Sequence, residues 1–226
     1  MGERVNIPKP RTIPLYFAHR GIISEENTIS AFGKALEMGA PGIELDVHFY
    51  YDRLKVTHYK TLVARESTPY LNDVLDFIYD KCKKLKRDKP ILNIDLKSRG
   101  SGKLVLQHMK GKWKPEDFLI TSFMVLTQNS RLRYQELKTV RELNKDVAIG
   151  IIGYANVLSR YTKFIKELNA CALITKWHSD KYTKKFVKTV HRHGLLSIPW
   201  NIASDESCKD AMSKGADGVI KDVHDK

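Results

Sequence analysis

The sequence predicts an α/β fold, and within that class a closed (β/α)8 or TIM barrel, as a single domain over residues 1–226. Three observations predict it. Short apolar runs alternate with amphipathic stretches along the whole chain. There are eight such runs at even spacing, each but the last followed by a helical pattern. The runs are nearly continuous in apolar residues, as strands covered on both faces must be. An open doubly wound sheet shares the alternation, but the count of eight and the spacing favour closure.

In chain order, the first strand, 14–19, ends in His19-Arg20-Gly21, and a helix over 28–38 stops at Gly39. The second strand, 42–48, alternates strictly. It is followed by a short alternating run, Leu54-Lys55-Val56-Thr57-His58, which Asp52-Arg53 joins to it like a hairpin. The helix over 71–84 carries Leu75, Ile78, Tyr79 and Cys82 at helical spacing. The third strand, 91–97, precedes a helix over 102–112, and the fourth, 118–123, one over 127–143. The fifth, 147–152, leads to a helix over 157–168, and the sixth, 172–177, to one over 181–193 bearing Tyr182, Phe186, Val187 and Val190. The seventh strand is 197–202, its helix 207–214, and the eighth strand 218–221. Gly39, Gly194 and Gly215 sit just past helix ends, where a left-handed residue is often required.

Composition bounds the function classes. With 42% hydrophobic and 29% charged residues and no low-complexity stretch, extended disorder is excluded. Three scattered cysteines without paired spacing indicate neither a disulfide framework nor a thiolate zinc site, and suit a reducing compartment. The longest apolar stretch, 147–158, is too short for a bilayer and contains Gly150, Gly153 and Asn156, so no membrane span is expected. The first residues lack the apolar middle of a secretory signal; a cytoplasmic protein is the default expectation, and a leader already removed would leave the same start. Net charge is +13, which attracts phosphates, including anionic lipid headgroups at a membrane surface, without selecting among them. The densest basic runs, 81–89 and 181–192, coincide with helical apolar spacing and read as solvated helix faces.

In such a barrel the chemistry sits at the carboxyl ends of the strands. His19 and Arg20 emerge there from the first strand. On the second, period-two alternation sends Glu44 and Asp46 to one face and Ile43, Leu45 and Val47 to the other. The third repeats the pattern, with Asn93, Asp95 and Lys97 sharing a face. Three carboxylates therefore converge on one mouth. An oxygen-only set of this kind suits a hard divalent ion, Mg²⁺ or Ca²⁺, whereas zinc prefers imidazole or thiolate. The alternative is a salt-bridge network in which Lys97 and Arg20 neutralise the acids.

These residues carry a resemblance. His19-Arg20-Gly21, Glu26-Asn27-Thr28, Ala31-Phe32 with Ala35, and Gly39 to Gly42 leading into Ile43-Glu44-Leu45-Asp46-Val47 resemble the opening of the glycerophosphodiester phosphodiesterase family. Val56 to His58, Leu92-Asn93-Ile94-Asp95-Leu96-Lys97, Thr121-Ser122-Phe123 and Gly215-Ala216-Asp217-Gly218-Val219-Ile220-Lys221-Asp222 continue it over nearly the whole chain. The resemblance implies a (β/α)8 barrel with one divalent ion, Mg²⁺ or Ca²⁺, held by Glu44, Asp46 and Asp95. It implies His19 and His58 as the general acid–base pair, with Arg20 and Lys97 on the phosphate. It also implies hydrolysis of a small-molecule glycerophosphodiester to glycerol 3-phosphate and an alcohol; no nucleic-acid partner is expected.

The chain departs from the family at three points. Asp95 stands where the family usually has Glu; His58 is followed by Tyr59 instead of Asp; and residues 59–69 replace an insertion of several tens of residues, which predicts an open pocket. Trp200 and Phe123 are further candidates for substrate contact, Lys176 and Lys221 for added positive charge, and His48 for orienting Asp46. His108, His178, His191, His193 and His224 read as surface residues. Two rival functions remain at this level: phospholipase D-like cleavage of lysolipids or sphingolipids, which the open basic pocket favours, and a non-catalytic anion-binding module, which retention of both histidines and all three acids opposes.

Overall fold

In the computed structural model the described residues are 10, 14–124, 128–154 and 158–225. Nine strands form one sheet: β1 (Leu15–His19), β2 (Gly42–Tyr50), β3 (Arg53–Val56), β4 (Ile91–Leu96), β5 (Phe118–Phe123), β6 (Ala148–Gly153), β7 (Ala172–Lys176), β8 (Leu196–Ile202) and β9 (Gly218–Lys221). Eight of them pair in parallel in the order β1-β2-β4-β5-β6-β7-β8-β9, and β9 returns to β1 to close the barrel. β3 folds back antiparallel on the end of β2, as the hairpin run predicts.

Helices α1 (Ile29–Glu37), α2 (Leu71–Lys84), α3 (Ser101–Met109), α4 (Gln128–Leu143), α5 (Leu158–Leu168), α6 (Lys184–Arg192) and α7 (Asp205–Ser213) lie between the strands. Their ends differ from the expected ones for local reasons. Thr28, Thr183 and Ser204 are N-caps whose side chains accept from the amides of Ala31, Phe186 and Ser207, so α6 starts later than expected and α7 earlier. α3 stops at Met109 because Lys110 turns extended. The expected starts at Thr127 and Val157 lie outside the described residues. Gly39, Gly194 and Gly215 have φ of +85°, +75° and +97°, which is the left-handed conformation expected of them.

Two apolar layers hold the barrel. Outward strand residues such as Ile43, Leu45, Ile94 and Ile120 pack against the helices in the larger cluster. Inward residues such as Phe17, Leu119, Ile174 and Ile198 fill the barrel interior. Side chains of one strand alternate between these layers, so the polar inward positions of β1, β2 and β4 have nowhere to go but the barrel axis and its mouth. Among the described residues no helix is long and apolar enough to cross a membrane.

Candidate active site

The register places the acids. Glu44 is opposite Asn93 and Asp46 opposite Asp95, while His19 of β1 is opposite Glu44. All three carboxylates are buried, and each offers an oxygen within 4.8 Å of the others. The pairing of β1 with β2 and of β2 with β4 thus assembles in space what lies 51 residues apart in sequence, from Glu44 to Asp95.

The loop between β1 and α1 closes over this cluster. Gly21, at φ +84°, approaches α1 so closely that a Cβ would stand 2.7 Å from the carbonyl carbon of Ala31. Arg20 and Asn27 take positive φ of 54° and 61°, a conformation that non-glycine residues hold only when their surroundings impose it. Here hydrogen bonds impose it. The Arg20 amide donates to Glu44 Oε2 (3.1 Å), the Asn27 amide to the Arg20 carbonyl (2.8 Å), and Asn27 Nδ2 to Asp46 Oδ2 (2.9 Å). The Asp46 amide in turn donates to Asn27 Oδ1 (3.2 Å).

Every nitrogen of the Arg20 guanidinium is engaged: Nη1 donates to Glu26 Oε2 (2.7 Å), Nη2 reaches His58 Nδ1 (2.8 Å), and Nε lies 3.0 Å from Asp46 Oδ2. Lys97 Nζ bridges Asp95 Oδ2 (2.5 Å) and Asp46 Oδ1 (2.8 Å). The salt-bridge network considered as an alternative is therefore present, but it does not saturate the acids. Asp95 Oδ1 is buried without a hydrogen-bond partner among the described residues. Burial and the charges of Asp46 and Asp95 push the Glu44 carboxyl well above its usual range; burial also raises Asp95. Asp46 goes the other way, held far below the ordinary carboxylate range by the charges of Lys97 and Arg20 in spite of its burial. Three crowded, dry carboxylates with spare oxygen lone pairs are a donor set that fits a hard divalent cation.

The two histidines flank the acids. His19 Nδ1 is 2.6 Å from Asp222 Oδ1, and its Nε2 points to Glu44 Oε2 at 3.9 Å. His58 is partly exposed, 3.4 Å from Asp46 Oδ2, and its ring meets that of Tyr59 edge-on. Tyr59 supplies no carboxylate, and Arg20 and Asp46 are the groups in contact with His58 Nδ1. His48 does not orient Asp46; its Nε2 contacts the carbonyl oxygen of His58 (3.3 Å), steadying the segment that carries the second histidine.

A pocket of about 620 Å³ opens above these groups. It brings together all seven residues expected at the metal, in proton transfer or on the phosphate, namely His19, Arg20, Glu44, Asp46, His58, Asp95 and Lys97, and with them Trp200. Phe123 joins Trp200 on its far wall, with ring centroids 6.3 Å apart, whereas Lys176 and Lys221 do not line it and Lys221 pairs with Asp205. His191, expected at the surface, is exposed and contacts Asp217 at 2.8 Å. Residues 59–69 contribute one 3₁₀ turn at Lys60–Leu62 and no larger cover. Sequence reasoning missed Asp222 and Asn27, both inside quoted motifs but given no role; closing β9 onto β1 was the available signal for Asp222. Arg99 and Arg133, also at the pocket, carried no sequence signal.

No family model matches the sequence. The chain is 27% identical to a glycerophosphodiester phosphodiesterase of Caldanaerobacter subterraneus, over 92% of this chain and 93% of that protein. It is 25% identical to one of Bacillus altitudinis, over 93% and 95%. Its fold resembles that of an Oleispira antarctica phosphodiesterase solved with sn-glycerol-3-phosphate, with a TM-score of 0.73 at 17% identity, covering 92% of this chain and 93% of that one. End-to-end sequence likeness and the shared barrel agree in what they resemble, the glycerophosphodiester phosphodiesterases.

Proposed function

We propose that this protein is a phosphoric diester hydrolase that cleaves glycerophosphodiesters to glycerol 3-phosphate and an alcohol, using a hard divalent ion, Mg²⁺ or Ca²⁺, and two histidines. The observation that carries this reading is the meeting of three buried, adjacent carboxylates with two histidines in one pocket. Glu44, Asp46 and Asp95 would hold the ion, which when bound neutralises charge on the phosphoryl oxygens.

An arginine N–H can only donate, so His58 Nδ1 accepts from Arg20 and the neutral ring carries its proton on Nε2. Asp222 can only accept when ionised, so His19 carries its proton on Nδ1 and leaves Nε2 bare. His19 is thereby suited to take a proton from the attacking hydroxyl, and His58 to give one to the leaving alkoxide. The attacking hydroxyl belongs either to the substrate itself, giving a cyclic phosphate, or to water. Lys97, with one N–H beyond those given to Asp46 and Asp95, meets the phosphate. Arg20, expected at the phosphate, has its three nitrogens committed to Glu26, His58 and Asp46, and in this reading it orients the acid and the metal ligand.

The test is turnover of glycerophosphocholine, with glycerol 3-phosphate identified among the products, before and after dialysis against EDTA. Activity lost in EDTA and restored by Mg²⁺ or Ca²⁺ is expected; full activity in EDTA, or binding without turnover, would sink the proposal. A second reading, lysolipid cleavage, is favoured by the apolar wall of Phe123, Ile152, Ile174, Trp200 and Ile220. Lysophosphatidylcholine in the same assay distinguishes it.

A further inference from the structure

The pocket carries more positive charge than the proposed reaction centre uses. Among the residues that line it, Arg20 and Lys97, together with a divalent ion, balance the three acids and one phosphodiester charge; Glu26 and Asp222 stand behind them, paired with Arg20 and His19, and Arg133 lends its field to Asp95. Lys60, Arg99 and Arg133 also line the pocket, and none of them has a carboxylate in salt-bridge range among the described residues. They come from separate connections at the same end of the barrel: Lys60 from the turn after β3, Arg99 from the link between β4 and α3, and Arg133 from the second turn of α4. Lys60 and Arg99 are exposed, whereas Arg133 is half-buried and anchored by donating from Nη1 to the Phe123 carbonyl (3.2 Å).

Three like charges around one cleft repel one another, and low-dielectric walls focus their field on whatever enters. A single phosphodiester, already balanced deeper in the site, does not relieve that repulsion. An additional anionic group on the same molecule does, and a guanidinium offers it paired N–H donors.

We propose that Lys60, Arg99 and Arg133 read a second anionic group, so that the preferred substrates are phosphodiesters whose alcohol portion is itself negatively charged. This rests on the reaction proposed above, and it adds the substrate class. Choline-type headgroups then meet a rim of their own sign and bind less well.

The test compares glycerophosphoinositol with glycerophosphoinositol 4-phosphate, which differ by one phosphate, reading kcat/KM for turnover and Kd by calorimetry. The phosphorylated compound is expected to be favoured by about tenfold or more, the effect of one or two charge-assisted hydrogen bonds. In the triple variant Lys60→Gln, Arg99→Gln, Arg133→Gln this ratio should fall towards 1. The double variant Lys60→Gln, Arg99→Gln, both at exposed positions, should lower it in the same direction and serves if the triple does not fold. Equal kcat/KM and Kd for the two compounds in the parent protein, or a preference that survives the substitutions, would overturn the proposal. A Kd difference without turnover of either compound would support the rim while overturning the hydrolytic reading.

Discussion

The barrel mouth is divided between two unlike halves. Over β1, β2 and β4 the polar inward residues are His19, Glu44, Asp46, Asn93 and Asp95, each tied to a neighbour by a hydrogen bond or ion pair, with Asn93 Nδ2 and Asp95 Oδ1 left unpartnered among the described residues. Over β5 to β9 the same depth is occupied by Phe123, Ile152, Ile174, Trp200 and Ile220, which offer shape and little direction. The backbone is equally regular in both. The difference teaches where precision is needed: charged groups act through angle and distance and require supporting partners, whereas an apolar wall works through the water it excludes.

Substitutions should separate the halves. The largest effect is expected at Asp46, which contacts Asn27, Arg20, His58 and Lys97 and is the most connected acid of the cluster. Asp46→Asn should bring turnover below detection and weaken Mg²⁺ or Ca²⁺ binding, measured by calorimetry. Wild-type turnover in that variant would remove the charged half from the chemistry.

Next come the histidines, where His19→Ala and His58→Ala should each cost about 10²- to 10⁴-fold in kcat. Their pH profiles carry more information than their rates. The acidic limb of kcat/KM should vanish with His19 and survive in His58→Ala, because His58 acts from its neutral ring; loss of that limb with His58 instead would mean that the proton positions argued above are exchanged. Asp222→Asn, which removes the charge and lets an amide N–H face Nδ1 so that the His19 proton is no longer held there, should cost on the order of 10- to 100-fold and leave metal binding intact.

A smaller effect concerns stability. Because Glu44 and Asp95 hold their protons more tightly in the folded chain than in the unfolded one, their contribution is present below the ordinary carboxylate pKa. It is lost as pH rises through their raised values. Asp46, held low, contributes in the opposite sense, and that contribution is lost only in acid. In EDTA, Tm should therefore fall as pH rises from the carboxylate range towards neutrality, by about 2–4 °C per kcal/mol for a chain of this size. Mg²⁺ or Ca²⁺ should abolish that fall. A Tm that rises with pH in EDTA would show that Lys97 and Arg20 neutralise all three acids unaided.

The smallest catalytic effect is expected from the apolar half. Ile174→Val should cost about 0.5–1.5 kcal/mol of stability, as methyl deletions in cores do, and leave kcat within about twofold; Trp200→Leu should raise KM by less than about tenfold, the scale of a lost apolar contact. A loss of kcat as large as that of His58→Ala would show that this wall acts in the transition state.

Much of the charged half was legible before folding was known. Period-two alternation alone put Glu44 with Asp46 and Asn93 with Asp95, and the structure keeps those pairs on one face. The hairpin that carries His58 was legible from Asp52-Arg53 between alternating runs. His48 shows where that logic stops: it shares a face with Asp46, yet two residues of strand advance carry it beyond hydrogen-bond reach, and it contacts the His58 carbonyl instead. The partners of Arg20 were equally hidden. Its assignment to phosphate followed from its charge, whereas its three contacts depend on how the loop to α1 folds over β2.

By itself the sequence determined the number and order of strands, which side chains of each strand share a face, and therefore that three carboxylates and two histidines lie near one rim. Those are local properties, set by side-chain alternation and by turn residues a few positions away. Tertiary structure alone decided that Asp222 meets His19, that Arg20 contacts His58, and that Lys60, Arg99 and Arg133 line one opening. The reason is geometric. These contacts join residues up to 203 positions apart, and they come about only when β9 closes onto β1 and the register of neighbouring strands sets which side chains stand level.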